Sequence, residues 1–401
     1  MRMIEYQNDM IERHKDYFDK NIRKKLNMNN EYIQKYIKEK DTTLPSEFEK
    51  FLYFCKNETI NINSVDKKVW EILAIGKKEE LLLLNDKIHS DYNGIKISLN
   101  NNKFINLLNN IFGYTNFISC QNGIYGFLKR TAMINKLKKR YCSALQREMT
   151  ELLINDFQLH KHEICMKLNH SIINETKYKE ALMKLNYIYY SNETVRDSKI
   201  LSPHWDAYIF VMMSGIRVCP YCNRQYITPA YSSNGKVRGD IDHILPKSKY
   251  PYFSMSLYNM VPICKGCNQS LKREKELSYN PFAESIDDYF KFTAISEGDT
   301  YRIDFNKSST HKDKITDHIN TFKLDQLYNY HQNIAYELYS KRKIYKDSYI
   351  NELHRQYPFL GDRMRVVELI MGFMHDENRI NDEAFAKMKR DIAIELGFFE
   401  E

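Results

Sequence analysis

Residues Val218–Lys272 read VCPYCNRQYITPAYSSNGKVRGDIDHILPKSKYPYFSMSLYNMVPICKGCNQSLK. The stretch opens with Cys219-Pro-Tyr-Cys222 and closes with Cys264-Lys-Gly-Cys267, and 41 residues separate the two pairs. A Cys-x-x-Cys pair turns tightly enough to aim two sulfurs at one ion, so two such pairs are how a four-thiolate zinc site is usually written. The plainer readings are a redox pair or unrelated buried cysteines. Two pairs flanking a polar, turn-rich segment favour structural zinc on Cys219, Cys222, Cys264 and Cys267.

Between the pairs the pattern predicts a small ββα unit. Gly239–Pro246 reads as a short strand entering a loop, Tyr258–Ile263 as a second strand, and Lys265–Lys275 as a helix. Asp242 and His243 then stand at the end of the first strand and Asn268 in the first turns of the helix. Asp240 lies two residues before Asp242 and so shares its face of the strand. Lys272, four residues beyond Asn268, projects from the same side of an α-helix.

These residues carry a resemblance. Asp242-His243-Ile-x-Pro-x-Ser248, then Asn259, then Asn268 directly after Cys267, is similar to the motif of the HNH endonuclease family, whose core is a ββα-metal fold. The separations are 16 residues from His243 to Asn259 and nine from Asn259 to Asn268. The third motif position is Asn rather than His, as in many members, among them the HNH domains of CRISPR effector nucleases. The resemblance covers residues 215–280 and little else.

It implies phosphodiester hydrolysis, which needs an activated water, a cation on the scissile phosphate and a stabilised leaving oxygen. His243 suits the first task, since an unperturbed pKa of about 6.5 leaves neutral base at cellular pH. Asp242 and Asn268 offer hard oxygens, which suit Mg2+ or Mn2+, and Asp240 is a further candidate ligand. By the resemblance, Asn259 holds the loop and aims the histidine. Lys272, Arg238 and Lys247 are the expected nucleic-acid contacts. For Lys272 the competing reading is a solvated side chain, and for Asn268 a helix cap.

The rest of the chain is bounded by composition. At 401 residues it is too long for one HNH module. Net charge is +8, and Arg217–Lys275 alone carries ten Lys/Arg against three acids, so nearly all the excess sits where phosphates would lie. Cys55, Cys120, Cys142 and Cys165 lack pair spacing and read as buried small hydrophobes. The charged start argues against a signal peptide, and no apolar run approaches the ~20 residues that cross a bilayer. The expectation is a cytoplasmic protein that contacts no membrane.

Residues 1–200 read as a helical domain of unknown role, with helical periodicity in Phe48-Phe51-Leu52-Cys55, from Val69 to Leu73, and in Phe104-Leu107-Leu108-Ile111. Tyr92-Asn-Gly94 followed by Ile95, Ile97 and Leu99 suggests a hairpin or strand interruption. Ile124–Met149 is a basic amphipathic helix, more often a solvated face than a nucleic-acid contact. His160 and His162 lack partner ligands at a recognisable spacing. His204–Met213 reads as a helix set against the zinc unit.

Residues 201–280 form the nuclease domain and 281–401 a β-hairpin plus helical region. In the latter, Phe290–Ile295 and Thr300–Phe305 flank a Ser-Glu-Gly-Asp turn, a long helix runs towards His354, and Pro358 and Gly361 precede two more helices. This tail, with Asn280-Pro-Phe282 and Ile319-x-x-Phe322-x-Leu324-x-x-Leu327, is similar to the region after the HNH core in phage-defence nucleases of the Septu and retron-associated type.

The expected fold class is α+β, a mainly helical protein around a central zinc-stapled ββα-metal core. The expected function is a metal-dependent HNH endonuclease acting on DNA, the effector of a bacterial anti-phage system, with an ATPase as a candidate partner. The alternatives are a modification-dependent restriction endonuclease and, from another class, a catalytically silent zinc module that binds nucleic acid or protein.

Overall fold

Phe48, Phe51, Leu52 and Cys55 fall on one face of a helix, and the helix Phe48–Asn57 buries all four. The same 3.6-residue logic gives Asn102–Ile111, with Phe104, Leu107, Leu108 and Ile111 inside, and Val69–Ile75. The computed structural model describes residues 3–40, 43–119, 205–231, 236–373, 375–376 and 379–399. The basic stretch Ile124–Met149, His160, His162, Cys120, Cys142 and Cys165 lie outside the described residues. The fold mixes helices with small two-stranded sheets, in keeping with an α+β class. Among the described residues no helix is long and apolar enough to cross a membrane.

The chain forms two compact units, each drawing on separated stretches. One comprises 6–215 and 228–261; the other comprises 1–5, 216–227 and 262–401.

In the first unit the N-terminal helices grip the segment 250–260. Phe51 meets the ring of Tyr252 at 6.1 Å and that of Phe112 at 6.4 Å. The Tyr252 hydroxyl donates to Asn85, the Ser256 hydroxyl donates to the Leu73 carbonyl at 2.6 Å, and the Tyr6 hydroxyl to the Met260 carbonyl at 2.8 Å. His14 Nε2 donates to the Met255 carbonyl at 2.8 Å while its Nδ1 accepts from Trp205 Nε1 at 3.0 Å. Burial of an aromatic side chain contributes about 1.5–3 kcal/mol, and these polar bonds fix which loop conformation enjoys it.

Two local expectations change here. Asn93–Ser98 is a helix rather than a hairpin: Ile95 is buried but Ile97 is exposed, so the three-residue alternation marks no strand face. Gly94 donates its amide to Glu47, and a Cβ there would stand 2.9 Å from the same carboxylate. A hairpin of this unit forms instead from Thr59–Ile62 with Val65–Lys68, joined by Asn63 and Ser64, both left-handed at φ 51° and 66°. That is the two-residue turn whose twist suits paired strands. The helix expected before the first cysteine pair spans Ala207–Met213, capped by Asp206, which accepts from the amides of Tyr208 and Ile209.

In the second unit the hairpin is as expected, Phe290–Glu297 with Thr300–Lys307. Its neighbour is the helix Ala386–Glu395, whose Asp391 accepts from the Phe292 amide at 2.9 Å. Around that bond Lys387 and Arg390 pair with Asp287 and Asp391, all buried. Burial alone would raise the Asp287 carboxyl, but hydrogen bonds from Arg390 and the charge of Lys387 hold it well below its ordinary value. The expected long helix towards His354 is broken into Gln332–Ile344 and Asp347–Gln356, and before it Lys312–Phe322 and Leu324–Asn329 are parted by Lys323, left-handed at φ 50°.

Candidate functional site

All four paired cysteines belong to the second unit. Their sulfurs lie within 4.8 Å of one another, buried, with Cys222 Sγ 3.9 Å from Cys264 Sγ. A disulfide needs about 2.05 Å, whereas a tetrahedron with Zn–S bonds of about 2.3 Å has edges of about 3.8 Å. The cluster therefore fits zinc. Hydrogen bonds from Cys219, Cys222 and Cys267 hold the Cys264 thiol far below its ordinary value, and burial pushes the Cys219 thiol up.

The first knuckle is held by the C-terminal region of the same unit. After Cys222 the chain turns through Asn223 at φ 48°, a left-handed position that Asn tolerates. His318 Nε2 donates to the Tyr221 carbonyl at 2.8 Å and the Tyr328 hydroxyl to the Cys222 carbonyl at 2.7 Å. The Asn223 side chain donates to the Ile380 carbonyl at 2.7 Å and accepts from the Lys387 amide at 3.1 Å. Sequence reasoning missed these supports because none lies at a spacing that marks it.

Asn268 and Lys272 also lie in this unit, on the segment after the second knuckle. The expected α-helix is wound as a π-helix over Gly266–Lys272, with the Arg273 amide on the Asn268 carbonyl at 2.9 Å, an i to i+5 bond. Such turns are rare and recur at functional sites. The cap position is Lys265, so Asn268 sits inside the helix and not at its cap. Lys272 is 2% exposed, which removes the reading of a solvated side chain.

Asp240, Asp242, His243, Asn259, Arg238 and Lys247 belong to the first unit. The strand Asp240–His243 forms where the sequence predicts it and pairs with the strand that opens at Met260. Asp242 and His243 are buried, and Asp240 is half-buried. His243 Nε2 lies 2.9 Å from the Ser254 carbonyl oxygen. A carbonyl can only accept, so Nε2 carries the proton and the ring's lone pair falls on Nδ1.

Asn259 explains why Ser254 is in place. Its Oδ1 accepts from the Leu245 amide at 2.7 Å, and its Nδ2 donates to the carbonyls of Leu245 and Phe253 at 3.1 and 3.0 Å. The backbone adds a bond from the Ile244 amide to the Asn259 carbonyl at 3.0 Å. One fully engaged side chain thus ties the residues after His243 to the residue before Ser254.

Tyr114, which the sequence did not single out, stands against this group. Its ring meets the His243 imidazole at 4.8 Å and 71°, and the Lys247 ammonium lies 5.7 Å from its centroid. The phenol is pushed up from its ordinary value, first by burial; Asp240 and Asp242 also raise it and Arg238 works against them. Arg238 itself lies over the Tyr208 ring at 5.5 Å and donates to the Gly239 carbonyl. Comparison with protein-family models, curated proteins and solved structures gives no match for this chain.

Proposed function

We propose that the chain is a metal-dependent HNH-type endonuclease that hydrolyses DNA, with a structural zinc on its four cysteines. The observation that carries this reading is the tautomer-fixing bond from His243 Nε2 to the Ser254 carbonyl. It leaves a proton acceptor at Nδ1 on a buried strand end whose preceding residue is a carboxylate. A general base needs a fixed ring orientation and a ring nitrogen that can take up a proton.

In this reading His243 takes the proton from the attacking water, while Asn259 holds the loop that orients it. The strand supplies hard oxygen donors at Asp242 and Asp240, which would hold Mg2+ or Mn2+, and the family resemblance makes Asn268 a candidate metal ligand. When bound, the cation supplies positive charge for the phosphate and the leaving oxygen. Lys247 and Arg238 offer phosphate contacts, and Lys272 is a further candidate. DNA as the substrate, a role in anti-phage defence and an ATPase partner rest on the family resemblance.

The test is cleavage of plasmid and linear DNA by the purified chain, with Mg2+, with Mn2+ and with EDTA. Metal-dependent nicking or cutting supports the reading. Binding of DNA without cleavage under every metal would instead favour a silent zinc module.

A further inference from the structure

Arginines elsewhere in the second unit face carboxylates: Arg302 lies 2.7 Å from Glu297, Arg342 2.8 Å from Asp347 and Arg365 3.0 Å from Glu368. Arg224, two residues past the first cysteine pair, is different. It is half-buried, and among the described residues its guanidinium meets no carboxylate. Its partner is an imidazole, with Arg224 Nη2 donating to His331 Nε2 at 3.4 Å. Burial, and then the charge of Arg224, lower the His331 pKa from its ordinary value, so near neutral pH the ring is uncharged and can accept.

Both members of the pair are tied to the knuckle. Asn223, next to Arg224, bonds through its side chain to the Ile380 carbonyl and the Lys387 amide, and its own carbonyl accepts from the Phe385 amide at 2.6 Å. His331 meets the Phe385 ring at 4.5 Å, and its amide donates to the carbonyl of Tyr328, whose hydroxyl reaches Cys222. Arg224 Nε is buried and meets no acceptor among the described residues. Folding has thus stripped part of the water from a fixed positive charge, and no anion of the unit offsets it. A guanidinium in that state takes an oxyanion with little further loss of hydration or rotamer freedom, and phosphate suits its planar fork.

We infer that Arg224 binds a backbone phosphate of DNA, which gives the zinc knuckle a direct part in holding the substrate. This contact presupposes the DNA-cleaving role proposed for the chain. The rival role is charge balance, since four thiolates on Zn2+ leave two negative charges, which a cation close to Cys222 also suits.

The test is binding of a fluorescent duplex of about 30 base pairs, without Mg2+ or Mn2+, between about 50 and 300 mM KCl. Arg224→Gln should weaken binding by about 10-fold. It should also reduce the slope of log Kd against log salt by about 0.9, the share of one phosphate contact. Arg224→Lys keeps the charge and loses the fork, so it should keep the wild-type slope with intermediate affinity. Arg302→Gln, which removes a cation already paired, should stay close to the wild type in both. All three variants should keep their zinc.

Wild-type affinity and slope in Arg224→Gln, or a slope reduced equally in Arg224→Lys, would overturn the inference. So would loss of zinc from Arg224→Gln, which would assign the residue to charge balance at the thiolates. If binding follows the expected pattern but no metal brings cleavage, the phosphate contact stands and the nuclease reading falls. Cleavage by the wild type with unchanged binding in Arg224→Gln removes the contact and leaves the nuclease reading. A wild type that does not bind the duplex at all defeats both.

Discussion

His243 Nε2 and the carbonyl oxygen of Ser254 are 2.9 Å apart, and Asn259 bonds to the carbonyl of the residue immediately before Ser254. The bond therefore does not depend on loop flexibility, because the acceptor is itself stapled. His243→Ala leaves every Asn259 bond intact, so the fold and DNA binding should survive. Cleavage should fall by about 10²–10⁴-fold, the usual contribution of a general base. Circular dichroism and filter binding check the first claim, and single-turnover cleavage the second. Near-normal cleavage by the variant would remove His243 from the mechanism.

The four sulfurs within 4.8 Å predict one zinc per chain by elemental analysis of protein purified without chelator. Binding energy of a structural zinc is folding energy, on the order of 10 kcal/mol or more in small modules. Cys264→Ser should lose the ion and much of its solubility. Tyr328→Phe, which removes only the donor to the Cys222 carbonyl, should keep the zinc and lose about 1–3 kcal/mol of stability for the orphaned acceptor. Protein that contains no zinc would refute the centre, and zinc loss in Tyr328→Phe would mean that the knuckle depends on the tail for more than stability.

How much of this was legible in the sequence varies with the range of the interaction. The cysteine pairs and the strand Asp240–His243 are written locally, in a two-residue spacing and a four-residue run. The π winding of Gly266–Lys272 is not, since no residue spacing within these seven positions marks a turn closed by an i to i+5 bond. Tyr114 is illegible for another reason: a tyrosine after a glycine has no signature, and its meaning comes from a ring far along the chain. The hairpin at Thr59–Lys68 could have been found from Thr-Ile-Asn-Ile followed by Asn-Ser. The alternation after Gly94 is the more conspicuous strand signal, although its register buries only Ile95.

His14 makes the first unit sensitive to acid. Burial lowers its pKa to about 4, against the bond to the Met255 carbonyl, which raises it. The unfolded value is about 6.5, so between pH 6.5 and 4 the unfolded chain takes up a proton that the folded chain refuses. Stability is fully present above pH 6.5 and is lost as pH falls through that window, by on the order of 3 kcal/mol for this one group. The chain's two tryptophans, Trp70 and Trp205, both lie in this unit, so their fluorescence reports its unfolding. His14→Gln should be less stable than the wild type at pH 7.5 and lose less on going to pH 4.5. Parallel pH profiles for the two proteins would show that His14 does not titrate on unfolding.

Asn268 is the residue for which geometry narrows the choice. Its place inside the π-helix, with Lys265 at the cap, takes it off the cap position itself. Asn268 offers a neutral oxygen, so a divalent ion that it helps to hold should bind weakly until phosphate completes its shell, as Mg2+ commonly does. Asn268→Ala should therefore raise the Mg2+ concentration needed for half-maximal cleavage, and Mn2+, which tolerates looser geometry, should restore part of the rate. Lys272→Met provides the contrast. A phosphate contact acts through counterion release, so this variant should bind DNA more weakly, with a shallower salt dependence and an unchanged metal requirement. Because Lys272 is buried, thermal unfolding must accompany the assay to separate lost contact from lost fold. Metal-titrated cleavage of both variants decides the matter: a wild-type metal dependence in Asn268→Ala would take Asn268 out of the metal site.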